Sequence, residues 1–318
     1  MRKFIWLAAL TAALCATMVS CSDEPEVVAS SEVSDFGGER LMSIGEDTRF
    51  SYNSDGTIRQ ITDYNSTLTF DYEKGIMTFR EDDVIQEAKF TTNSKGYITG
   101  FSISQITEDW DEDEDEDATY NCSLSYEFEY NGSDHITRAS YNDVSVNAVT
   151  KEKEYETNVT WKFFWDGDLL SKVEVTSEDL DNDGIHKSST LHTYSYAGAL
   201  ENRYMQYTDG IAGEVDIDGS VEPAMCVGLF GKGPAKYPVK VSSDREMEFE
   251  YKLNSKGLVE TETSIYKSED DDYIATTNYS YGSHSRAESV NAGSGPQRVK
   301  AQRGDSRNHV SLFRRAKR

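Results

Sequence analysis

Five prolines, five histidines and four cysteines are few for 318 residues, and each scarcity excludes something. Few prolines leave long stretches in which backbone hydrogen-bond ladders can run uninterrupted. The histidines (His135, His186, His192, His284 and His309) fall in no recognisable catalytic or metal-binding motif. Two of the cysteines, Cys15 and Cys21, lie in or directly after an apolar leader, so only Cys122 and Cys226 remain in the body of the chain. They lack the spacing and the neighbouring histidines of a zinc site. In an oxidising compartment they either pair or serve as separate apolar fillers. Positive charge is also short, with 32 Lys and Arg against 57 Asp and Glu and a net charge of −25. A surface of that sign excludes nucleic acid, whose phosphates need a basic face.

What the chain has in quantity is aromatic side chains, 19 Tyr and 13 Phe, and they are patterned. Phe50-Ser51-Tyr52-Asn53-Ser54-Asp55-Gly56-Thr57-Ile58 is the clearest unit: two aromatics on one face of a strand, a polar turn, a glycine, and a strand leaving the turn. Alternation marks a half-buried strand because successive side chains point to opposite faces. Asn, Asp and Gly are the residues that tight turns require. The unit returns at Phe70 to Met77, Phe90 to Ile98, Phe128 to Gly132, Phe163 to Leu169 and Phe249 to Val259, and more weakly at Tyr194 to Gly198 and Tyr279 to Gly282. Gly56, Gly75 and Gly96 are about 20 residues apart, room for two strands and two turns. Gly132 and Gly167 follow at nearly double that interval. Parallel strands would need long crossovers between copies, and no helical period lies there.

The expected fold is therefore all-β, an antiparallel meander of repeated hairpins. In Leu124-Ser125-Tyr126-Glu127-Phe128-Glu129-Tyr130 one face is apolar and the other polar, so the sheet has one dry side to hide. It can do so by curling into an open or closed barrel or by folding over as a sandwich. An outer-membrane barrel shows the same alternation with its apolar face outward. Against that stand the lipid anchor described below and the absence of an aromatic strand at the C-terminus. Val221 to Lys236 breaks the alternation with Met225, Cys226, Leu229, Phe230 and several glycines. It reads as a short helical or coiled insert that plugs one end of the β structure, or else lines a ligand pocket.

Two acidic stretches invite a metal reading. Glu108 to Asp117 holds nine carboxylates interrupted only by Trp110 and reads as a solvated hairpin loop. Asp179, Asp181 and Asp183, followed by Gly184, match the start of a Ca²⁺ loop. Thr190 stands where the bidentate ligand would be, and the flanks read as strands. These aspartates are a weak Ca²⁺ candidate, and a turn between strands is the favoured reading. No cofactor is expected otherwise.

The ends differ from the body. Met1-Arg2-Lys3 and the apolar run Phe4 to Val19 have the form of a signal peptide, and the run is short for a membrane span. Met18-Val19-Ser20-Cys21 resembles a bacterial lipobox, which implies lipidation of Cys21; an ordinary signal peptide with an incidental cysteine is the alternative. Ser22-Asp23-Glu24-Pro25-Glu26 resembles the acidic surface-export signal of Bacteroidetes lipoproteins. The expected division is a lipoprotein signal peptide (1–20), a flexible tether (21–39), a single β domain (40–283) and a disordered basic tail (284–318). The tail carries nine Lys or Arg against Glu288 and Asp305, and is expected to lie electrostatically on its own acidic domain.

Tyr52 to Ile58 resembles the tyrosine–aspartate repeats of large bacterial shell proteins, a short motif. A more specific likeness rests on Cys21, on the repeated aromatic units, and on Lys236-Tyr237-Pro238-Val239-Lys240-Val241 followed by the strand from Phe249. Over residues 40–282 the chain resembles a family of Bacteroidetes lipoproteins known only as domain of unknown function 4595, with a porin-like fold. The resemblance implies a curved antiparallel sheet and no known activity.

The functional expectation is an outer-membrane lipoprotein, anchored through Cys21 and displayed at the cell surface, with the periplasmic face as the alternative. Its activity would be binding a glycan, a peptide or an envelope protein. A structural envelope scaffold without a small ligand is the second reading and a hydrolase the third. An open cavity inside the curled sheet would favour a receptor, and a filled core a scaffold.

Overall fold

The computed structural model describes residues 27–81, 84–109, 118–181, 184–215, 217, 221–267 and 272–283. Residues 1–26 with Cys21, the acidic run 110–117, Asp183 and the basic residues after 283 lie outside the described residues, as do the side chains of 105–109, 118 and 181.

The chain forms a closed, all-antiparallel barrel in which every strand neighbours the next in sequence and the last pairs with the first. The sixteen strands are β1 (Glu39–Ile44), β2 (Thr48–Tyr52), β3 (Ile58–Asp63), β4 (Ser66–Asp71), β5 (Ile76–Glu81), β6 (Val84–Thr92), β7 (Ile98–Asp109), β8 (Ala118–Tyr130), β9 (Ile136–Asn147), β10 (Lys153–Asp166), β11 (Leu169–Asp181), β12 (Gly184–Ser195), β13 (Lys240–Ser242), β14 (Glu246–Leu253), β15 (Val259–Lys267) and β16 (Tyr273–Ser283). The meander is thus closed and not open, with the seam running Glu39↔Ser283 to Ile44↔Tyr279.

The repeated unit is one hairpin, as its glycine spacing predicts. Gly56, Gly75, Gly96, Gly167 and Gly257 all have positive φ in turns at one end of the barrel. In the turn after β8 the left-handed residue is Asp134 (φ 71) and not Gly132. Gly282 lies inside β16, so the Tyr279 unit is a strand and not a turn.

The aromatics point inward. Phe50, Phe70, Phe90, Phe101, Tyr126, Phe128, Trp161, Phe163 and Phe249 are all buried. They meet across strands, with Phe101 and Tyr126 rings 4.7 Å apart and Tyr126 and Tyr141 rings 4.8 Å apart. The outer face is charged. Lys162–Glu174, Lys187–Glu178, Lys252–Glu260 and Lys267–Glu248 are ion pairs between neighbouring strands on that face. A barrel that spans a bilayer turns an apolar band outward. This wall has the opposite polarity and faces water.

The centre is filled by the connection between β12 and β13. It contains two short helices, α1 (Asp209–Val215) and α2 (Glu222–Cys226), of which only the second lies in the insert expected from sequence. Tyr207, Ile211, Val215, Met225, Cys226, Leu229, Phe230 and Tyr237 are buried among the inward rings of the wall. Ile211, Val215, Met225, Leu229 and Phe230 each contribute about 1.5–3 kcal/mol by leaving water. Phe230 reaches Phe128 at 4.7 Å, and the Leu229 carbonyl accepts a hydrogen bond from the Ile98 amide at 2.9 Å. The plug's own irregular backbone is satisfied by buried amides: Asn202 donates to the Gln206 and Pro234 carbonyls, and Gln206 to the Cys226 carbonyl. Cys122 and Cys226 are not joined by a disulfide, so none ties the plug to the wall through them.

Residues 27–38, read from composition as tether, are docked across the glycine-turn end of the barrel. The Val28 amide donates to Thr92 Oγ1 at 2.6 Å, Thr92 Oγ1 donates back to the Val28 carbonyl, and Ser34 Oγ bonds the Gly56 carbonyl. Arg40, buried at the start of β1, holds this strap by donating to the Ser31 carbonyl and to Ser34 Oγ. The strap also lies against the plug at Gly228 (φ +84), where a Cβ would stand 2.0 Å from the Val33 carbonyl oxygen.

Gly228→Ala must therefore displace either the strap or the plug and accept a left-handed alanine as well. Chemical denaturation should show a loss of at least about 2 kcal/mol. Gly132→Ala, at a turn position with open space around it, should change stability by less than about 0.5 kcal/mol.

Candidate functional site

The barrel has two unlike ends. At the strap end the turns are short and sealed by residues 27–38 and by the plug connection. At the other end β7 to β12 run 12 to 14 residues, against 5 or 6 in β1 to β5. At about 3.3 Å per residue, the tall strands extend roughly 20 Å beyond their short neighbours. They form a half-wall above the plug whose inner face is reachable from solvent.

The character of that inner face changes with height. Close to the plug it carries Phe128, Ala139, Trp161 and Val175, in register across β8 to β11. Four residues higher on each strand the same inward column carries Leu124, Asp143, Thr157 and Asp179, and the register continues to His186 on β12. Thr157 Oγ1 donates to Asp179 Oδ1 at 2.6 Å and is in contact with the Tyr155 hydroxyl. Ser177 Oγ donates to Asp179 Oδ2 at 3.4 Å, and Tyr141 donates to Asp143 Oδ2 at 3.1 Å. Ser177 and Ser188 hydroxyls are 2.9 Å apart. Two carboxylates, three Ser or Thr hydroxyls and two phenols therefore line a concave shelf at the barrel mouth. At its lower edge His192 Nδ1 lies 3.8 Å from Glu214 Oε2 on α1.

Of the weak Ca²⁺ candidates, Asp179 is on this shelf, bonded to wall hydroxyls. Asp181 pairs with Gly184 across β11 and β12, and Asp183 lies outside the described residues. No cluster of three or more metal-ligating side chains occurs among the described residues.

Two further titratable groups are buried, and both hold the plug. Glu262 on β15 is 1% exposed. Its carboxylate accepts hydrogen bonds from Thr208 Oγ1 at 2.7 Å, the Gly210 amide at 3.1 Å and the Tyr279 hydroxyl at 2.6 Å, which pins the start of α1 to the wall. Burial pushes the Glu262 carboxyl up to about 7, against the lowering effect of the Tyr279 bond. His135, after β8, is stacked 3.9 Å from Trp165. Its ring nitrogens face the Lys232 carbonyl and Asp168 Oδ1 at 2.9 and 3.0 Å, which joins the end of the plug to two turns. Neither group meets a surface from which a substrate could reach it.

The core itself leaves little room. Between β4 to β7 and α2 there is a cavity of about 30 Å³, lined by Phe70, Met77, Phe101, Val221 and Phe230 among others. Space for a water or two with an apolar lining stays dry. Among the described residues the barrel interior is a filled core below the mouth.

The chain matches no family model and no curated protein. Two solved structures are similar to it in fold. One is a porin-like protein from Bacteroides vulgatus ATCC 8482, with 13% identity, 77% of this chain and 97% of that chain covered, and a TM-score of 0.48. The other is a porin-like protein from Bacteroides uniformis ATCC 8492, with 12% identity, 77% and 95% coverage and a TM-score of 0.37. The family resemblance read from sequence is not carried by any family model.

Sequence reading singled out Asp179 but not Asp143, Tyr141, Tyr155 or Thr157. The signal for them was the arrival of polar groups at the inward positions in the outer halves of β9 and β10, where Tyr141, Asp143 and Ser145 share one face and Asp143 and Ser145 are in register with Thr157 and Tyr155.

The Glu262 clamp generates a pH signature. Its folded pKa, about 7, lies above the ordinary 4.5. The stabilisation from its protonated form is thus complete below about pH 4.5 and is lost as pH rises through 7. Relative to Glu262→Gln, wild-type stability should fall by roughly 3 kcal/mol between pH 4.5 and 8. Urea titrations of both proteins across that range measure it, and a constant difference would show that the carboxyl does not titrate there.

Proposed function

We propose that this chain is an envelope lipoprotein, anchored through Cys21 at the outer membrane and exposed at the cell surface, and that the shelf at its barrel mouth binds a ligand rich in hydrogen-bond donors. The single observation that carries the binding reading is the change of the inner wall from packed rings to Asp143, Thr157 and Asp179 flanked by Tyr141, Tyr155 and Ser177. Packing does not require carboxylates there, and carboxylates facing a concave space accept bonds from sugar hydroxyls or from the amines of a basic peptide. Phenols beside them supply flat apolar surface as well as a donor. A hydroxyl-rich glycan uses all of these groups, and a basic peptide uses the carboxylates first. We assign the protein no catalytic step; His135 and His192, which face Asp168 and Glu214, lie at contacts with the plug.

The anchoring reading draws on the lipobox-like Met18-Val19-Ser20-Cys21 and on the apolar leader before it. No helix among the described residues is long and apolar enough to cross a membrane. The water-facing charges of the barrel wall fit a body held beside the membrane by acyl chains.

The filled core favours a second reading, an envelope scaffold that docks a partner protein on the mouth without a small ligand. Glycan-array and peptide-library screening of the wild-type protein separates the two, followed by titration calorimetry of the best hits. A hydrogen bond to a charged group is worth about 1.5–3 kcal/mol, so Asp143→Asn and Asp179→Asn should each weaken binding by about tenfold to a hundredfold. Micromolar binding that survives both substitutions would move the site elsewhere. Binding to neither library, with one dominant crosslinked envelope partner in cells, would favour the scaffold.

A further inference from the structure

The wall of the barrel is closed at its waist but steps down abruptly at its mouth. β13 has three residues, and they pair with Thr193, Tyr194 and Ser195 at the lower end of the twelve-residue β12. Past β13 the wall stays low, since β14 starts at Glu246 opposite Ser242 and β15 ends at Lys267 opposite Glu246. β12 is therefore the last strand of the tall half-wall, and among the described residues no strand pairs with it above Thr193. In an antiparallel pair every second residue turns its amide and carbonyl to one neighbour and the rest turn theirs the other way. From Lys187 to His192, about 20 Å of extended chain, β11 takes one set of these groups and the other set faces out along the edge.

Soluble proteins blunt such an edge with proline, a bulge, a very short strand or a guarding lysine. Residues 184–195 contain no proline, and the β11–β12 ladder runs from Asp181↔Gly184 to Lys172↔Thr193 without a register shift. The one lysine on this stretch, Lys187, is tied back to Glu178 on β11 at 2.6 Å. Ile185 and Leu191 share the outward face of the strand with it and are 61% and 48% exposed, two apolar side chains on a wall that is otherwise charged. The edge is thus long, straight and of a composition that pairs readily.

The inward side of the same edge belongs to the shelf. Ser188, Thr190 and His192 point inward, in register with Ser177, Val175 and Val173 on β11. Asp179, also on β11, lies beside the upper part of the edge, and Glu214 on α1 lies 3.8 Å from His192 at its lower end. Asp179 is held by hydroxyls and Glu214 faces an imidazole, so among the described residues neither carboxylate is paired with a lysine or arginine. A strand laid along β12 would stand two strand spacings, about 10 Å, from β11. An inward lysine or arginine on that strand spans the gap to Asp179. A sugar chain can meet the carboxylates but has no ladder of amides and carbonyls to match the edge. A second copy of β12 would bring the ladder, yet its inward side chains are hydroxyls and imidazoles.

We propose that the open edge of β12 takes an extended basic peptide, which joins the half-wall as a further strand and turns its cationic side chains inward to Asp179 and Glu214. Main-chain hydrogen bonds supply the affinity of such an added strand and alternate side chains its selectivity. The inward positions meet the carboxylates of the shelf. The outward positions lie across the new strand pair from Ile185 and Leu191, where apolar or β-branched side chains pack best. This rests on the shelf as the ligand site and narrows its ligand from a glycan or a basic peptide to the peptide.

The probe is a capped, fluorophore-labelled peptide of seven residues, with valine at both ends, threonine at the third and fifth positions and lysine at the second, fourth and sixth. Fluorescence anisotropy with the full chain should show binding at least tenfold tighter than for the same composition in block order, or for the version with glutamate in place of lysine. In an added strand the amides of one parity face β12 and those of the other face solvent. N-methylation of one parity should therefore weaken binding at least tenfold, and of the other less than threefold. Amide hydrogen exchange at residues 187–192 should slow when the peptide binds. Binding that is weakened by Asp179→Asn but tolerates both N-methylated forms equally overturns strand addition and leaves the shelf as the site. Binding of a glycan, with no binding of this peptide or of any basic member of the peptide library, does the same. Binding of neither class overturns the proposal and the shelf reading together. Exchange at 187–192 that slows with rising protein concentration in the absence of peptide, with a dimer in sedimentation velocity, gives the edge to a second copy and overturns the proposal.

Discussion

A sixteen-stranded sheet closed on itself is too wide for side chains from opposite walls to meet. Barrels of that size hold either water or a plug, and this wall turns its aromatic rings inward. Exposing them to a water-filled lumen would forfeit the burial that drives closure. The connection between β12 and β13 therefore has to fill the centre. The other features of the body follow from that contact. Phe128 meets Phe230, Glu262 fixes the first turn of α1, His135 ties the plug exit to two turns, and the strap closes over Gly228.

Filling the barrel from within reverses the polarity that its outline suggests. The inner surface is packed and the outer one carries Lys162–Glu174, Lys252–Glu260 and related pairs. Such pairs add little stability at an exposed site, but they keep a long sheet soluble and break up apolar area. Only where the tall strands rise past the plug does the inner face become polar.

Local pattern made most of the wall legible in the sequence. Aromatic pairs two apart, then a polar turn and glycine, report strand, face and turn together, so Phe50 to Ile58 and Phe249 to Val259 could be placed without coordinates. Val221 to Lys236 betrayed the plug by its loss of alternation. What remained hidden depends on contacts distant in sequence. The seam between β1 and β16 has no local signature, which left the sheet open or closed. Residues 27–38 are polar like a tether, and their docking depends on turns at Gly56, Gly75 and Gly96. Helix α1 is short and follows an irregular stretch, so its place in the core comes from Glu262, some fifty residues later. The mouth shelf escaped because Asp143 and Asp179 look like any other acids in so acidic a chain until strand register sets them on either side of Thr157.

The seam also sets an order of events. Glu39 and Ser283 must find each other across almost the entire body, and until they do β1 and β16 each offer a row of unpaired amides and carbonyls to any other extended chain. A polypeptide emerging N-terminus first keeps that edge bare until its sixteenth strand arrives, so the interval before ring closure is when partly made copies can zip together. Guarding by a holdase would matter most in that interval, and deleting β16 would be more damaging than its eleven residues suggest.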